Sequence, residues 1–435
     1  MLASAGVPRA PGACGSGAPG GERAMAFRGL GSKVGALGLV KQPGPPVAVD
    51  FGTASLKVLQ IAPGETPHLV AAACLPTPEA LLDDPRKRLE FQAEQLPGLV
   101  RSAGIRAKRA VCAIPSSHTF CKHAQFARAD DAPLSSMVEL MLAEQLGRDP
   151  SRLVYRCYEV PGAERVAGGK SEVICLATGR EVVNRLMHAL KSAKLEPVGM
   201  HAEFIALLRA FDYVTRRAED KARATLYLDV GCGGTRAVIA HGRELVFTRV
   251  INAGGLLLDR AVAEQMGCQL ERARTARLSM NDLVSPAARP RPEPAAVGAP
   301  SHAGGLAVED DRRERAIAPG LTPSLDEQPE APTSPRGVSL SEQVEILTDE
   351  VGLCLRYHES LFGRRIDNAV FVGGEARHRG LCQHVARALR VPAQVADPLA
   401  RLARTGEERA VGVDLSQPQP GWAVALGLCL SPTDL

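Results

Sequence analysis

Aromatic side chains are scarce in this chain of 435 residues, which holds 1 Trp, 5 Tyr and 10 Phe. So few rings leave little with which to build a sugar- or base-stacking platform. An excess of one charge is also missing, because 52 Lys and Arg stand against 48 Asp and Glu and the signs are interspersed. That pattern excludes the basic stripe that grips nucleic acid, and no nucleic-acid partner is expected. No apolar run approaches the roughly 20 residues of a spanning helix, and VGALGLV (35–41) is too short and too glycine-broken for a signal-peptide core. The expectation is a cytoplasmic protein, peripheral to the inner membrane only through a partner and with no span of its own. Cysteine pairing is the last absence: the eleven cysteines form no Cys-x-x-Cys and stand in no zinc-like spacing with histidine. They read as reduced, mostly buried thiols.

Glycine and proline, by contrast, are plentiful and concentrated. Residues 1–45 are dominated by Ala, Gly and Pro and read as a disordered leader. A second such stretch, 285–338, reads as an insertion looping out from the surface. Elsewhere strand-like and helix-like segments alternate. RAVCAIP (109–115) is strand-like, and LSSMVELMLAEQL (134–146) places apolar residues at 134, 137, 138, 141 and 142 on one helical face. SEVICLAT (171–178) predicts a strand and VVNRLMHAL (182–190) a helix. A long helix is predicted over 339–362, apolar at 340, 344, 347, 351 and 355 and stopped by Gly363. The alternation implies an α/β fold.

One internal repeat organises the rest. VAVDFGTASLKVLQI (47–61) can be laid over LYLDVGCGGTRAVIA (226–240): an apolar strand, Asp, Gly, a turn of small residues, a basic residue seven positions after the aspartate, and a second apolar strand. Asp50 matches Asp229 and Lys57 matches Arg236. In each copy the glycine turn can present backbone N–H groups to an anion, and the carboxylate beside it can hold hydrated Mg2+. One Asp-x-Gly hairpin alone is usually a plain turn. Two in register suggest two similar lobes that grip a polyphosphate from both sides. A third glycine signal, DNAVFVGGEARHRGLCQHVARAL (367–389), ends a strand on Gly373-Gly374 ahead of a helix, where a flat ring or phosphate can approach the backbone.

In order, these three segments resemble the phosphate-1, phosphate-2 and adenosine motifs of the actin-like ATPase superfamily of actin, sugar kinases and heat-shock chaperones. Within it the chain is most similar to the PilM family of type IV pilus assembly. RAVCAIPSSHTFCKHAQF (109–126), the helix at 134–146 with SRLVYRCYEV (151–160), the Phe-Thr-Arg strand at 247–249, Gly254-Gly255 and the close PGWAVALGLCL (420–430) carry the likeness further. The resemblance implies a two-lobed actin-like fold of duplicated ribonuclease-H-like lobes. The first lobe would cover 46–215, with a small inserted subdomain of the FtsA/PilM type at about 75–178, and the second 216–430. It implies ATP and Mg2+ as cofactors. Asp50 and Asp229 would hold Mg2+ through waters, and Gly52, Thr53 and Lys57 would cradle the β- and γ-phosphates. Gly231, Gly233 and Gly234 would offer N–H groups to the γ-phosphate, and Gly373 and Gly374 would pack on the adenosine. Where the family shows a Glu and a Lys against the nucleoside, this chain has Arg274 and Arg277 in ERARTARLSM (271–280), and an arginine can stack on adenine. The implied partner is a short cytoplasmic segment of an inner-membrane PilN-like protein, bound near 109–126, with other pilus or type II secretion components and self-association beside it.

Two other readings stay open from the sequence. A small-molecule kinase of the same superfamily would need a carboxylate base for its substrate hydroxyl, and Asp130 and Asp131 are the nearest candidates. An FtsA-like filament would carry a basic amphipathic C-terminal helix, whereas this sequence closes on LCLSPTDL. No residue is identified by its spacing as the group that orients an attacking water, so at most a slow ATPase is expected.

Overall fold

The computed structural model describes residues 44–127, 134–163, 170–280, 283 and 338–433. Apart from residues 44, 45 and 338, the leader and the insertion lie outside the described residues, as do Asp130 and Asp131.

The chain opens as a meander, β1 (Val47–Phe51), β2 (Ser55–Ala62) and β3 (His68–Pro76), followed by α1 (Pro85–Ser102) and β4 (Arg109–Ile114). Asp84 starts α1 by accepting from the backbone N–H groups of Arg86 and Lys87, which would otherwise lack partners inside the helix. Next come β5 (Phe120–Ala127), α2 (Leu134–Leu146), β6 (Leu153–Glu159) and β7 (Lys170–Gly179). The chain then returns through α3 (Arg180–Ser192), β8 (Glu196–Ala202) and α4 (Glu203–Arg209). A second meander, β9 (Ala224–Val230), β10 (Thr235–His241) and β11 (Glu244–Ile251), leads to α5 (Gly255–Met266) and α6 (Leu270–Leu278). The last elements are α7 (Ser341–Phe362), β12 (Asn368–Val372), α8 (Arg379–Leu389), β13 (Ala393–Val395), β14 (Arg409–Val411) and α9 (Ala423–Cys429).

Two sheets repeat one topology. The first runs β14-β3-β2-β1-β4-β8 and the second β11-β10-β9-β12-β13. In each, a three-stranded antiparallel meander is extended by strands parallel to its first member: β4 beside β1, and β12 beside β9. Strands β1 and β9 lie centrally and are buried at every residue, which is why both read as unbroken apolar runs up to the aspartate. A third, smaller sheet of order β5-β7-β6 packs on α2, which buries Val138 and Leu142 from the predicted apolar stripe. This subdomain is built from residues after Pro115; α1 and β4, which fall inside the expected 75–178 span, lie with the first sheet. Helices α4 and α9 cross at Gly427, where any Cβ would collide with the Ala206 carbonyl, so the crossing requires glycine. The ten described cysteines are all free thiols.

Candidate functional site

The two repeated hairpins have matching geometry. Asp50 is paired in register with Lys57 across β1 and β2, and Asp229 with Arg236 across β9 and β10. The turns close alike, Gly52 N–H donating to the Ser55 carbonyl at 3.1 Å and Gly231 N–H to the Gly234 carbonyl at 3.0 Å. The tips oppose one another: a Cβ on Gly233 would lie 2.7 Å from Thr53 Oγ1, so Thr53 of the first turn rests on the bare backbone of the second. The structure thus brings Asp50, Gly52, Thr53, Lys57, Asp229, Gly231, Gly233 and Gly234 together at two facing turns.

The basic residues reach out of their own hairpins. Lys57 Nζ donates to the Gly421 carbonyl at 2.7 Å and lies 3.6 Å from Asp50 Oδ2. Arg236 donates twice to Asp229 Oδ2, from Nη2 at 2.7 Å and Nε at 3.0 Å, and from Nη1 to Glu203 Oε2 at 3.0 Å. Burial disfavours the charge on Arg236, but Asp229 and Glu203 more than offset it and hold the guanidinium well above its ordinary pKa. Glu203, at the start of α4, is 3% exposed and also accepts from Ser116 N–H at 2.9 Å. Burial pushes its carboxyl up despite the arginine beside it.

Gly373 and Gly374 stand beside the second hairpin in different surroundings. Gly373 has φ +93° and donates its N–H to the Pro420 carbonyl at 2.9 Å; a Cβ there would collide with the Val230 carbonyl and lie 2.5 Å from Asp229 Oδ1. Gly374 meets nothing within 4 Å of a built Cβ, so its face is the open one. Gly254 and Gly255 support the second turn from beneath, with Gly255 N–H donating to the Gly231 carbonyl at 3.0 Å and Leu256 N–H to the Cys232 carbonyl at 2.8 Å.

One expectation changes. Arg277 does not stack at an open nucleoside face: it is fully buried, with Nε 2.6 Å from Asp259 Oδ1 and Nη1 2.8 Å from Glu375 Oε2, the latter an ion pair off the angle of a hydrogen bond. Burial raises the Asp259 carboxyl, and the two acids together hold Arg277 charged against burial. At Asp229, Oδ2 takes two donors from Arg236, and the side chain is 5% exposed. Among the described residues no group of three or more His, Cys, Asp or Glu is placed to hold an ion.

Several contributors were not legible as site residues. Gln92 on α1 donates to the Gly52 carbonyl at 2.8 Å and to Thr77 Oγ1 at 3.0 Å, fixing the first turn from behind. Glu203 was the findable one, a lone acid immediately before the apolar run Phe204–Leu208.

A family model described as "Type IV pilus assembly protein PilM" matches residues 48–283. The chain belongs to the PilM family. This PilM-family chain is similar in structure to a "PilM-PilN type IV pilus biogenesis complex", with TM-score 0.63 and 20% identity over 89% of this chain and 98% of that one. Ethanolamine utilization protein EutJ from Carboxydothermus hydrogenoformans aligns with TM-score 0.43 and 16% identity over 89% of this chain and 91% of its own. MreB 5 of Spiroplasma citri bound to AMPPNP aligns with TM-score 0.40 and 13% identity over 83% and 94%. A search of the curated proteins finds no match. The fold is the two-lobed actin-like α/β fold that the repeated sheets describe. No helix among the described residues is long and apolar enough to cross a membrane.

Proposed function

We propose that this PilM-family chain is a cytoplasmic scaffold of pilus assembly that binds ATP between its two hairpins and holds a short cytoplasmic segment of an inner-membrane PilN-like protein. The observation that carries the nucleotide reading is the opposition of the two glycine turns, Thr53 resting on Gly233 with a carboxylate and a cation behind each. In this reading Gly52, Thr53 and Lys57 face the phosphates from one side and Gly231, Gly233 and Gly234 from the other. The open face of Gly374 receives the nucleoside, with Gly373 fixing the turn beneath it. Asp50 orients Lys57, and Asp229 orients Arg236. Pilus assembly is favoured over a related secretion system by the family match.

For the partner, two segments of 109–126 are already engaged. Strand β4 is interior to the first sheet, and His123 on β5 lies 3.0 Å from the Thr248 carbonyl of β11. A cavity of about 770 Å3 lies where the subdomain meets α3, lined by Arg148, Asp149, Arg152, Arg180, Glu181 and Asn184. A short charged peptide fits such a lining.

The test is a calorimetric titration of the full chain with ATP, beside Gly233→Val and Asp50→Ala. Micromolar to millimolar binding in the wild type and at least tenfold loss in Gly233→Val is expected. Equal affinity in both chains would remove the phosphates from between the turns. Retention of a PilN-like cytoplasmic peptide by the wild type but not by Arg180→Glu would support the cavity.

A further inference from the structure

Two of the free thiols face one another in the small sheet. Cys157 on β6 is paired in register with Cys175 on β7, so both side chains stand on the same side of the sheet. The ladder also fixes the kind of pair they form. Val160 N–H donates to the Glu172 carbonyl at 2.9 Å, which makes that position a hydrogen-bonded one. The two kinds alternate along antiparallel strands, so Tyr158 with Ile174 is a hydrogen-bonded pair and Cys157 with Cys175 a non-hydrogen-bonded one. At such a pair the Cα atoms lie about 4.5 Å apart and the side chains are at their closest. A disulfide spans Cα separations of about 4.4–6.8 Å, so the strands already hold these two thiols where the bond can close.

The two sulfurs differ in access and in acidity. Cys157 is half-buried on an edge strand, whereas Cys175 lies on the central strand, 0% exposed and clustered with Val138 and Leu142 of α2. A hydrogen bond with the Cys175 thiol lowers the pKa of Cys157 from the ordinary thiol value, against the effect of burial. The same bond, together with burial, raises Cys175. By contrast, burial raises the thiols of Cys112, Cys232, Cys354 and Cys429. A reachable, readily ionised sulfur beside a sheltered one that keeps its proton suits a reaction in which the first attacks and the second resolves.

We infer that Cys157 and Cys175 form a reversible dithiol–disulfide site that reacts with hydrogen peroxide, Cys157 being the attacking sulfur and Cys175 the resolving one. The Cys157 thiolate attacks one peroxide oxygen: the S–O bond forms, the O–O bond breaks, and the departing hydroxide takes up the proton that Cys157 gave off, leaving water and a sulfenic acid. The Cys175 sulfur then displaces the hydroxyl from Cys157. The S–S bond forms, the S–O bond breaks, and the Cys175 proton leaves with the hydroxide as a second water. The two thiols together give up one electron pair, and the peroxide is reduced to water. A dithiol reductant reverses the step by thiol–disulfide exchange. The disulfide ties the edge strand β6 to the centre of its sheet, and in a reducing compartment a pair of this kind is oxidised transiently rather than kept as a structural staple.

The experiment exposes the full reduced chain to hydrogen peroxide and reads intact mass and a non-reducing peptide map. The wild type is expected to lose about 2 Da, to yield a peptide pair joined through Cys157 and Cys175, and to regain its starting mass in dithiothreitol. Cys175→Ser should stop at a sulfenic acid on Cys157, trapped by dimedone about tenfold or more over the wild type, in which the resolving step competes. Cys157→Ser should leave Cys175 a thiol. A first disulfide that joins other cysteines, or a Cys157 that stays reduced or passes to sulfinic acid while Cys175 remains free, overturns the inference. The wild-type peptide map gives this decision without either variant, should circular dichroism show that one fails to fold.

Discussion

Glycines beside the second hairpin divide into those with no room for a side chain and those with open space before them. Gly373, with φ +93° and no room for a Cβ, belongs to the first group and Gly374, with open space before it, to the second. Gly373→Ala is therefore expected to cost about 1–3 kcal/mol or more in urea unfolding, and Gly374→Ala less than about 0.5 kcal/mol. Equal costs would mean that the two glycines are not distinguished by their surroundings. Arg277→Met, which leaves Asp259 and Glu375 buried without their cation, is expected to destabilise by about 3–5 kcal/mol, and adding Glu375→Gln to restore part of it. No recovery in the double variant would show that the triad is not one electrostatic unit. Asp50 and Asp229 were legible because each ends a buried strand at a turn, a local pattern written in consecutive letters. Arg277 was not, because it lies in a polar helix and its burial depends on Asp259 and Glu375, acids that come from other segments.

Elements follow the same division. Helix α7 was predicted because Val344, Leu347 and Val351 recur at helical spacing and Gly363 ends it with φ +63°. The pairing of α7 with β10 was not, since it depends on His241 and His358, 117 positions apart, whose Nε2 atoms meet at 2.8 Å. Burial pushes both imidazoles down to about 4 from the ordinary value near 6.5. Their folded pKa is depressed, so the unfolded chain binds protons first. Stability contributed by the neutral pair is present above about pH 6.5 and is lost as pH falls toward 4. Thermal unfolding should show a drop between pH 7 and pH 4.5 that is smaller in a His241→Asn/His358→Leu chain. An identical drop in both would assign the acid sensitivity to carboxylates elsewhere. The small sheet shows the limit of reading elements singly, because β7 was predicted as a strand but only its antiparallel pairing with β5 and β6 separates it from the first sheet.

At the scale of the whole described chain, the two lobes were legible from one repeat, and their junction was not. That junction is the crossing of α4 and α9 at Gly427, together with the bonds from Lys57 to the Gly421 carbonyl and from Arg236 to Glu203. Gly427→Ala is expected to cost about 2–4 kcal/mol by overpacking and to lower ATP affinity with it. Full stability in that variant would show that the crossing can slide apart freely. The bond from Lys57 to Gly421 also spans 364 positions, β14 adds a late strand to the edge of the first sheet, and the Cys429 thiol donates to the Leu59 carbonyl. A chain emerging from the ribosome amino end first therefore leaves its first hairpin incomplete until Gly421 and α9 have been made. Fragments that end before α9 should leave Ala48 and Leu59 without their cover, which makes the arrival of α9 the step that seals the first hairpin.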